Sequence, residues 1–222
     1  FVTNVNGTLF FSADDGVNGA ELWKATAADV VPPTVLSSVF LFETASAVRV
    51  TFSEPIDIAT LASTDLSVQP LPSGSPINPS SVSYDAATRS ATFLFVPPLG
   101  DGNYSATISA GSVADSAGNL LAVGHSLNFF VLRADANRDR KVDTQDFNLL
   151  AANFGGSSKV FSQGNFDYDA LGDVDSTDFN ILVGQYGKQL PAPSALLAAS
   201  ANAPLPLMFS DSSDFSPDRL EI

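Results

Sequence analysis

The run Asp135-Ala136-Asn137-Arg138-Asp139-Arg140-Lys141-Val142-Asp143-Thr144-Gln145-Asp146 sets side-chain oxygens at positions 1, 3, 5, 9 and 12 of a twelve-residue stretch. A hard cation such as calcium takes six to eight oxygens, and a loop of this length delivers them from positions 1, 3, 5, 7, 9 and 12. Lys141, at position 7, would offer only its backbone carbonyl. Asp143 would ligate directly or through water, and Asp146 would close the loop and start a helix. Apolar Val142 at position 8 is expected to pair with a partner loop. The competing reading is a solvated acidic turn that caps a helix; five oxygen-bearing residues at ligand positions favour the metal. One position departs from the pattern. Arg140 stands at position 6, where Gly normally makes the sharp turn. A left-handed backbone there would cost about 1–2 kcal/mol, which cation binding could offset.

The pattern recurs about thirty residues on. DFNLLAANFG at 146–155 aligns with DFNILVGQYG at 178–187, an internal duplication. Before the second copy, two registers compete. Without a gap, Asp167, Asp169, Leu171, Asp173, Asp175 and Asp178 take the six ligand positions, but the Leu171 side chain cannot ligate. With a two-residue insertion, Asn165, Asp167 and Asp169 take positions 1, 3 and 5, and Ala170-Leu171 bulge out. Asp167, Asp169, Asp175 and Asp178 are ligands in either register.

Helices must position these loops. Phe147, Leu150, Ala151 and Phe154 fall on one helical face, as do Phe179, Leu182, Val183 and Tyr186, and Gly155 and Gly187 suit the helix ends. Phe147, Leu150 and Phe154 are expected to pack against Phe179, Leu182 and Tyr186, with Val142 and Val174 pairing the loops back to back. Upstream, the period changes to two. Val48, Val50 and Phe52 alternate with polar neighbours, as do Ala91, Phe93 and Phe95, then Tyr104, Ala106 and Ile108. Further strands are predicted at 35–42, 65–69, 81–84 and 125–132. Seven short strands in about a hundred residues predict a β-sandwich. Residues 8–12 and 20–24, around the turn-rich Asp14–Gly19, predict a hairpin. Only Arg133 and Ala134 separate the last strand from the first ligand, too few for a flexible linker.

A loop followed by one helix, then duplicated, resembles the type I dockerin family over residues 135–187. The opening Gly164-Asn165-Phe166-Asp167-Tyr168-Asp169 is similar to that family's usual loop start, which favours the insertion register. The resemblance implies two calcium ions and docking onto a cohesin-like partner module through loop positions 10 and 11, here Thr144, Gln145, Ser176 and Thr177. VRVTFSEPID at 48–57 and VADSAGNLLA at 113–122 resemble bacterial Ig-like domains of surface-layer and secreted multidomain proteins, which implies a spacer or adhesive role. LFFSADDGVNGAELWKAT resembles a tandem repeat family with the signature Glu-Leu-Trp-x-x-Asp-Gly-Thr, although Thr26-Ala27-Ala28 replace its ending. On that resemblance the chain is expected to be a piece of a longer protein.

Composition narrows the classes. Ten basic against 24 acidic residues give a net charge of −14, unsuited to nucleic acid. There is no Cys, and His125 is the sole His, which excludes thiolate sites and multi-His zinc centres. No apolar run approaches the roughly 20 residues of a membrane helix. The acids sit in short local loops rather than across a cleft, so paired-carboxylate glycosidase chemistry is disfavoured. Trp23 is read as core before sugar platform.

The expected fold class is mainly β with a small α module. A partial repeat hairpin spans 1–31, an Ig-like β-sandwich 32–132, a dockerin-like calcium-loop-plus-helix duplication 133–188, and a flexible tail 189–222. The expected function is non-catalytic, calcium-dependent docking in a secreted bacterial protein. The alternatives are a calcium-stiffened adhesive or spacer region, or the accessory end of a polysaccharide hydrolase.

Overall fold

Asp14 and Asp15 carboxylates accept the N–H groups of Gly16 and Val17 at 2.7 and 2.9 Å, and Gly16 and Gly19 turn the chain through left-handed backbone. This turn joins β2 (Thr8–Asp14) to β3 (Ala20–Thr26), and β1 (Val2–Val5) pairs with the free edge of β2. The expected hairpin is therefore a three-stranded sheet. It is thin: no described side chain before Pro33 is buried, and Trp23 is 43% exposed rather than core. Two-residue alternation without a second layer cannot bury a face. The structure, a computed structural model, describes residues 1–6 and 8–192. The tail expected at 189–222 lies outside the described residues beyond position 192.

The seven predicted strands are all present, as β4 (Val35–Leu41), β5 (Ala47–Phe52), β6 (Leu66–Leu71), β7 (Ser81–Asp85), β8 (Ser90–Leu94), β9 (Gly102–Ile108) and β10 (His125–Val131). They form two antiparallel sheets, β4-β5-β8-β7 and β10-β9-β6. Alternation along β5 buries Val48, Val50 and Phe52 and leaves Arg49 outside; β8 adds Phe93 from the same sheet, and β9 contributes Tyr104 and Ile108 from the facing one. Burying a large apolar side chain of this kind is worth about 1.5–3 kcal/mol. Phe40 of one sheet stacks on Phe129 of the other, ring centroids 4.4 Å apart, and His125 Nε2 meets Ser38 Oγ at 2.7 Å. These two contacts seal the side of the sandwich where β4 meets β10.

A second apolar cluster gathers Leu132, Ala134, Ala136, Val142, Leu150, Phe161, Phe166, Val174 and Leu182. Helices α1 (Thr144–Asn153) and α2 (Ser176–Gln185) flank it. The helical face is narrower than its periodicity predicts. Leu150 and Leu182 are buried, but Phe147, Phe154, Phe179 and Tyr186 are exposed. The helices have only ten residues each, and one leucine per helix is fully buried in the shared core, with Leu149 and Ile181 half-buried beside it. Val142 and Val174 are both fully buried in that core but do not pair through their backbones. Val142 exchanges hydrogen bonds with Gly187 and Lys188, and Val174 with Gly155 and Gly156. Each loop is thus tied to the residues that follow the opposite helix, and left-handed Gly155 and Gly187 aim the N–H groups that do it.

Candidate metal-binding loops

Local hydrogen bonds shape both loops, because most of the side chains that could ligate also accept a nearby backbone N–H. In the first loop the buried Asp135 carboxylate accepts Asp139 N–H at 3.0 Å and Arg140 N–H at 2.9 Å. Asn137 Oδ1 accepts Asp139 N–H, and Asp139 Oδ1 accepts Lys141 N–H. The buried Asp146 carboxylate accepts Asn137 N–H at 3.2 Å and Asp143 N–H at 2.9 Å. Asp143 in turn caps α1 by accepting Gln145 N–H, so the last two acids of the loop brace the helix start reciprocally.

The second loop repeats the pattern. Asp167 accepts Asp169 N–H, Asp169 accepts Asp173 N–H, and Asp178 accepts the N–H groups of Phe166, Asp167 and Asp175. Asp175 caps α2 through Thr177 N–H. Matching bond for bond equates Asp167 with Asn137, Asp169 with Asp139, Asp173 with Lys141, Asp175 with Asp143, and Asp178 with Asp146. Asn165 then stands where Asp135 does. The two extra residues fall between Asp169 and Asp173, and Leu171 there is 70% exposed. The bulge is held by Lys159 N–H on Gly172 O and Ser158 N–H on Leu171 O.

Gly172 is required at that bulge. Its φ is +64°, and an added Cβ would lie 2.7 Å from the backbone N and O of Lys159. Gly155 has similar backbone, φ +77°, but open space around its Cβ direction. Gly155→Ala should therefore cost only the left-handed strain, about 1–3 kcal/mol. Gly172→Ala should cost measurably more in urea denaturation, because backbone must move. Equal losses for the two variants would show that the close approach is immaterial.

Electrostatics mark the buried carboxylates. Burial pushes the Asp135 carboxyl up to about 6, with nearby Asp146 adding to the rise and the N–H groups of Arg140 and Asp139 opposing it. Burial also raises Asp146 and Asp167 above the usual carboxylate range. Such groups need compensating positive charge or must take up protons. In the second loop the buried Asn165 donates to Lys159 O, but its Oδ1 has no hydrogen-bond partner among the described residues. Side-chain oxygens of the Asp/Asn set, backbone carbonyls at Lys141 and Asp173, and one buried orphan oxygen suit a hard divalent cation. The residues present fit calcium.

The four residues expected to meet a partner, Thr144, Gln145, Ser176 and Thr177, are the exposed first residues of the two helices. Exposed aromatics adjoin them: Thr144 Oγ1 and the Tyr186 hydroxyl lie 2.9 Å apart, and Phe147 and Phe179 follow one turn on.

Residues that sequence reasoning missed lie on the sandwich. Phe42, Glu43, Asp101 and Asn103 all touch the loops or their flanks. Their separation in sequence from the loops left no local signal. A cavity of about 320 Å³ opens beside these contacts, between Phe42, Pro97, Leu99, Arg138 and Tyr168. Elsewhere, the carboxylates of Asp29, Glu54 and Asp115 converge to within 4.8 Å of one another. Asp115 there already accepts from Asn119 and Ala117.

No curated protein matches the chain. Among solved structures it is similar to the N-terminal part of the bacterial S-layer protein SbsC, at 23% identity and a TM-score of 0.38, covering 45% of this chain and 23% of that one. It is also similar to domains 1–6 of surface layer protein SbsC, at 22% identity and a TM-score of 0.38, covering 46% of this chain and 14% of that one. Residues 29–131 match the family model of the bacterial Ig-like domain, and the two antiparallel sheets of β4 to β10 over those residues are consistent with an Ig-like β-sandwich.

Proposed function

We propose that the segment 135–187 binds two calcium ions and so holds the starts of α1 and α2 as a docking face for a cohesin-like protein module. On this reading the chain is a non-catalytic part of a secreted or surface-exposed bacterial modular protein, with the Ig-like sandwich as its stalk. The observation that carries it is the Asn165 amide oxygen, buried and without a donor among the described residues at the place equivalent to the Asp135 carboxylate. An orphan of this kind costs about 1–3 kcal/mol, and cation ligation would remove that cost.

Asp135, Asn137, Asp139, Asp143 and Asp146 would hold one ion with the Lys141 carbonyl. Asn165, Asp167, Asp169, Asp175 and Asp178 would hold the other with the Asp173 carbonyl. Calcium supplies the charge that lets buried carboxylates remain ionised side by side. The chain's own part is to set oxygens at ligand spacing and to couple each loop's closing acid to a helix start. Thr144, Gln145, Ser176 and Thr177 are then presented on two similarly built helix ends. A second reading, a calcium-stiffened spacer, is favoured by the ties between loops and sandwich at Phe42, Glu43, Asp101 and Asn103.

Calcium titration of the full chain by calorimetry is the test. The wild type should bind two ions, and Asn165→Ala should lose one of them while the first loop keeps its affinity. No heat of binding at millimolar calcium would sink the proposal. Two ions bound unchanged by Asn165→Ala would remove that residue from the site.

A further inference from the structure

The fourth residue of each loop points at the same place on the sandwich. Arg138 lies between Asn137 and Asp139, and its guanidinium carbon sits 4.4 Å from the Phe42 ring centroid and 4.0 Å from that of Phe130, while its Nη2–H donates to Phe130 O. Tyr168 lies between Asp167 and Asp169, and its hydroxyl donates to Phe42 O at 2.8 Å. Phe161, just before the second loop, meets the Phe42 ring edge-on and stacks on Tyr168. Glu43 accepts Phe161 N–H through its carbonyl and Ser162 N–H through its carboxylate. Phe42 packs against both apolar cores. The sixth residue of the first loop joins the arrangement: Arg140 stacks over Phe130 and donates to Asn103 Oδ1 at 2.8 Å.

Backbone conformation gives these contacts a consequence. Arg138, Arg140 and Tyr168 have φ of +62°, +75° and +58°, a region that residues with side chains rarely adopt. Such backbone persists when its surroundings over-determine it. Here the surroundings are the sandwich: each left-handed residue is anchored through its side chain to β9, β10 or the segment just after β4. The turn at position 4 also fixes the relative aim of positions 3 and 5 on either side of it. Holding that turn holds the ligand oxygens.

We infer that the Ig-like sandwich acts as a clamp that sets the calcium affinity of both loops, with Phe42 and Glu43 as positioning residues that pre-shape them. This rests on the calcium reading above and adds to it a coupling between two regions of different fold. Coupling of this kind is reciprocal: if the clamp favours the ligand-ready loops, calcium must equally favour the closed clamp. Calcium bound among the carboxylates should therefore steady β4, which supplies none of them. Pre-organisation is the physical source of the gain, because loops already held in place lose less freedom when the ion binds.

The test uses the full chain with Phe42→Ala and, as a milder break, Glu43→Ala; neither residue is a proposed ligand. Val39→Ala, at an exposed β4 position, is the control. Calcium affinity by calorimetry is expected to fall about tenfold in Phe42→Ala and less in Glu43→Ala, with two ions still bound and the control unchanged. Hydrogen exchange on the wild type should show slower exchange for amides of Val35–Leu41 when calcium is added, and this response should shrink in both variants. Protected amides in β8 will report that the sandwich remains folded. Wild-type affinity in both folded variants, or calcium binding without any change in β4 exchange, overturns the clamp and leaves the calcium reading standing. Failure of the wild type to bind calcium overturns both.

Discussion

Asp178→Ala is expected to destabilise the helical segment by about 3–5 kcal/mol, and to do so in chelator as well as in calcium. Asp178 is fully buried, and its two oxygens accept three backbone N–H groups, from Phe166, Asp167 and Asp175. Truncation strands those donors where little water can replace the carboxylate. Asp178→Asn should fall between wild type and Ala, since an amide oxygen can still serve Phe166 and Asp167 while its NH2 opposes Asp175 N–H. Urea denaturation followed by circular dichroism, run in both conditions, measures the losses. The calcium dependence is the second readout. If the carboxylate is also a ligand, the gap between wild type and Ala should widen when calcium is present. A variant as stable as wild type in chelator would show that Asp178 matters only to an ion.

Local chemistry was legible in the sequence wherever partners lie close along the chain. Val48, Val50 and Phe52 announce β5 because a strand buries every second residue; Ala91 and Phe93 in β8 and Tyr104, Ala106 and Ile108 in β9 do the same, whereas β4 breaks the alternation at a bulge between Val35 and Ser37. The caps at Asp143 and Asp175 and the match between the two loops are equally local, since the carboxylate and amide bonds that align them span a dozen residues or fewer. Three things were not legible. Periodicity places Phe147 and Leu150 on one helical face, but only the packed neighbours decide how wide a stripe is buried. The fully buried apolar stripe narrows to Leu150 and Leu182, with Leu149 and Ile181 half-buried beside them and the aromatics outside. The anchoring of Arg138 and Tyr168 was hidden for another reason. Tyr168 reaches Phe42 across 126 residues, and nothing in a loop sequence names so distant a partner. Likewise β1 was missed, because Val2-Thr3-Asn4-Val5 has no alternation and pairs only as an edge to β2.

The narrow core makes the next result a separation of folding from docking. Leu182→Ala removes a side chain that is 2% exposed at the centre of the small core and should cost about 2–5 kcal/mol, enough to melt the segment near ambient temperature. Phe179→Ala removes a larger side chain from the same helix, but one that is 40% exposed, and should change stability by roughly 0.5–1 kcal/mol. Size alone would rank the two the other way. In binding the order reverses. On the docking reading proposed above, Phe147 beside Thr144 and Gln145, and Phe179 beside Ser176 and Thr177, would each set an exposed aromatic among polar residues at a helix start, the mixture a protein partner meets. An aromatic at the centre of such a patch typically carries about 2 kcal/mol or more, so Phe179→Ala should weaken binding to a cohesin module by at least roughly tenfold. Leu182→Ala, measured below its melting temperature in saturating calcium, should bind nearly as well as wild type. Surface plasmon resonance on an immobilised cohesin module, paired with thermal melts, gives both numbers. Phe179→Ala that melts early would return this residue to the core, and Phe179→Ala and Phe147→Ala that both bind at wild-type strength would move the docking face off the helix starts.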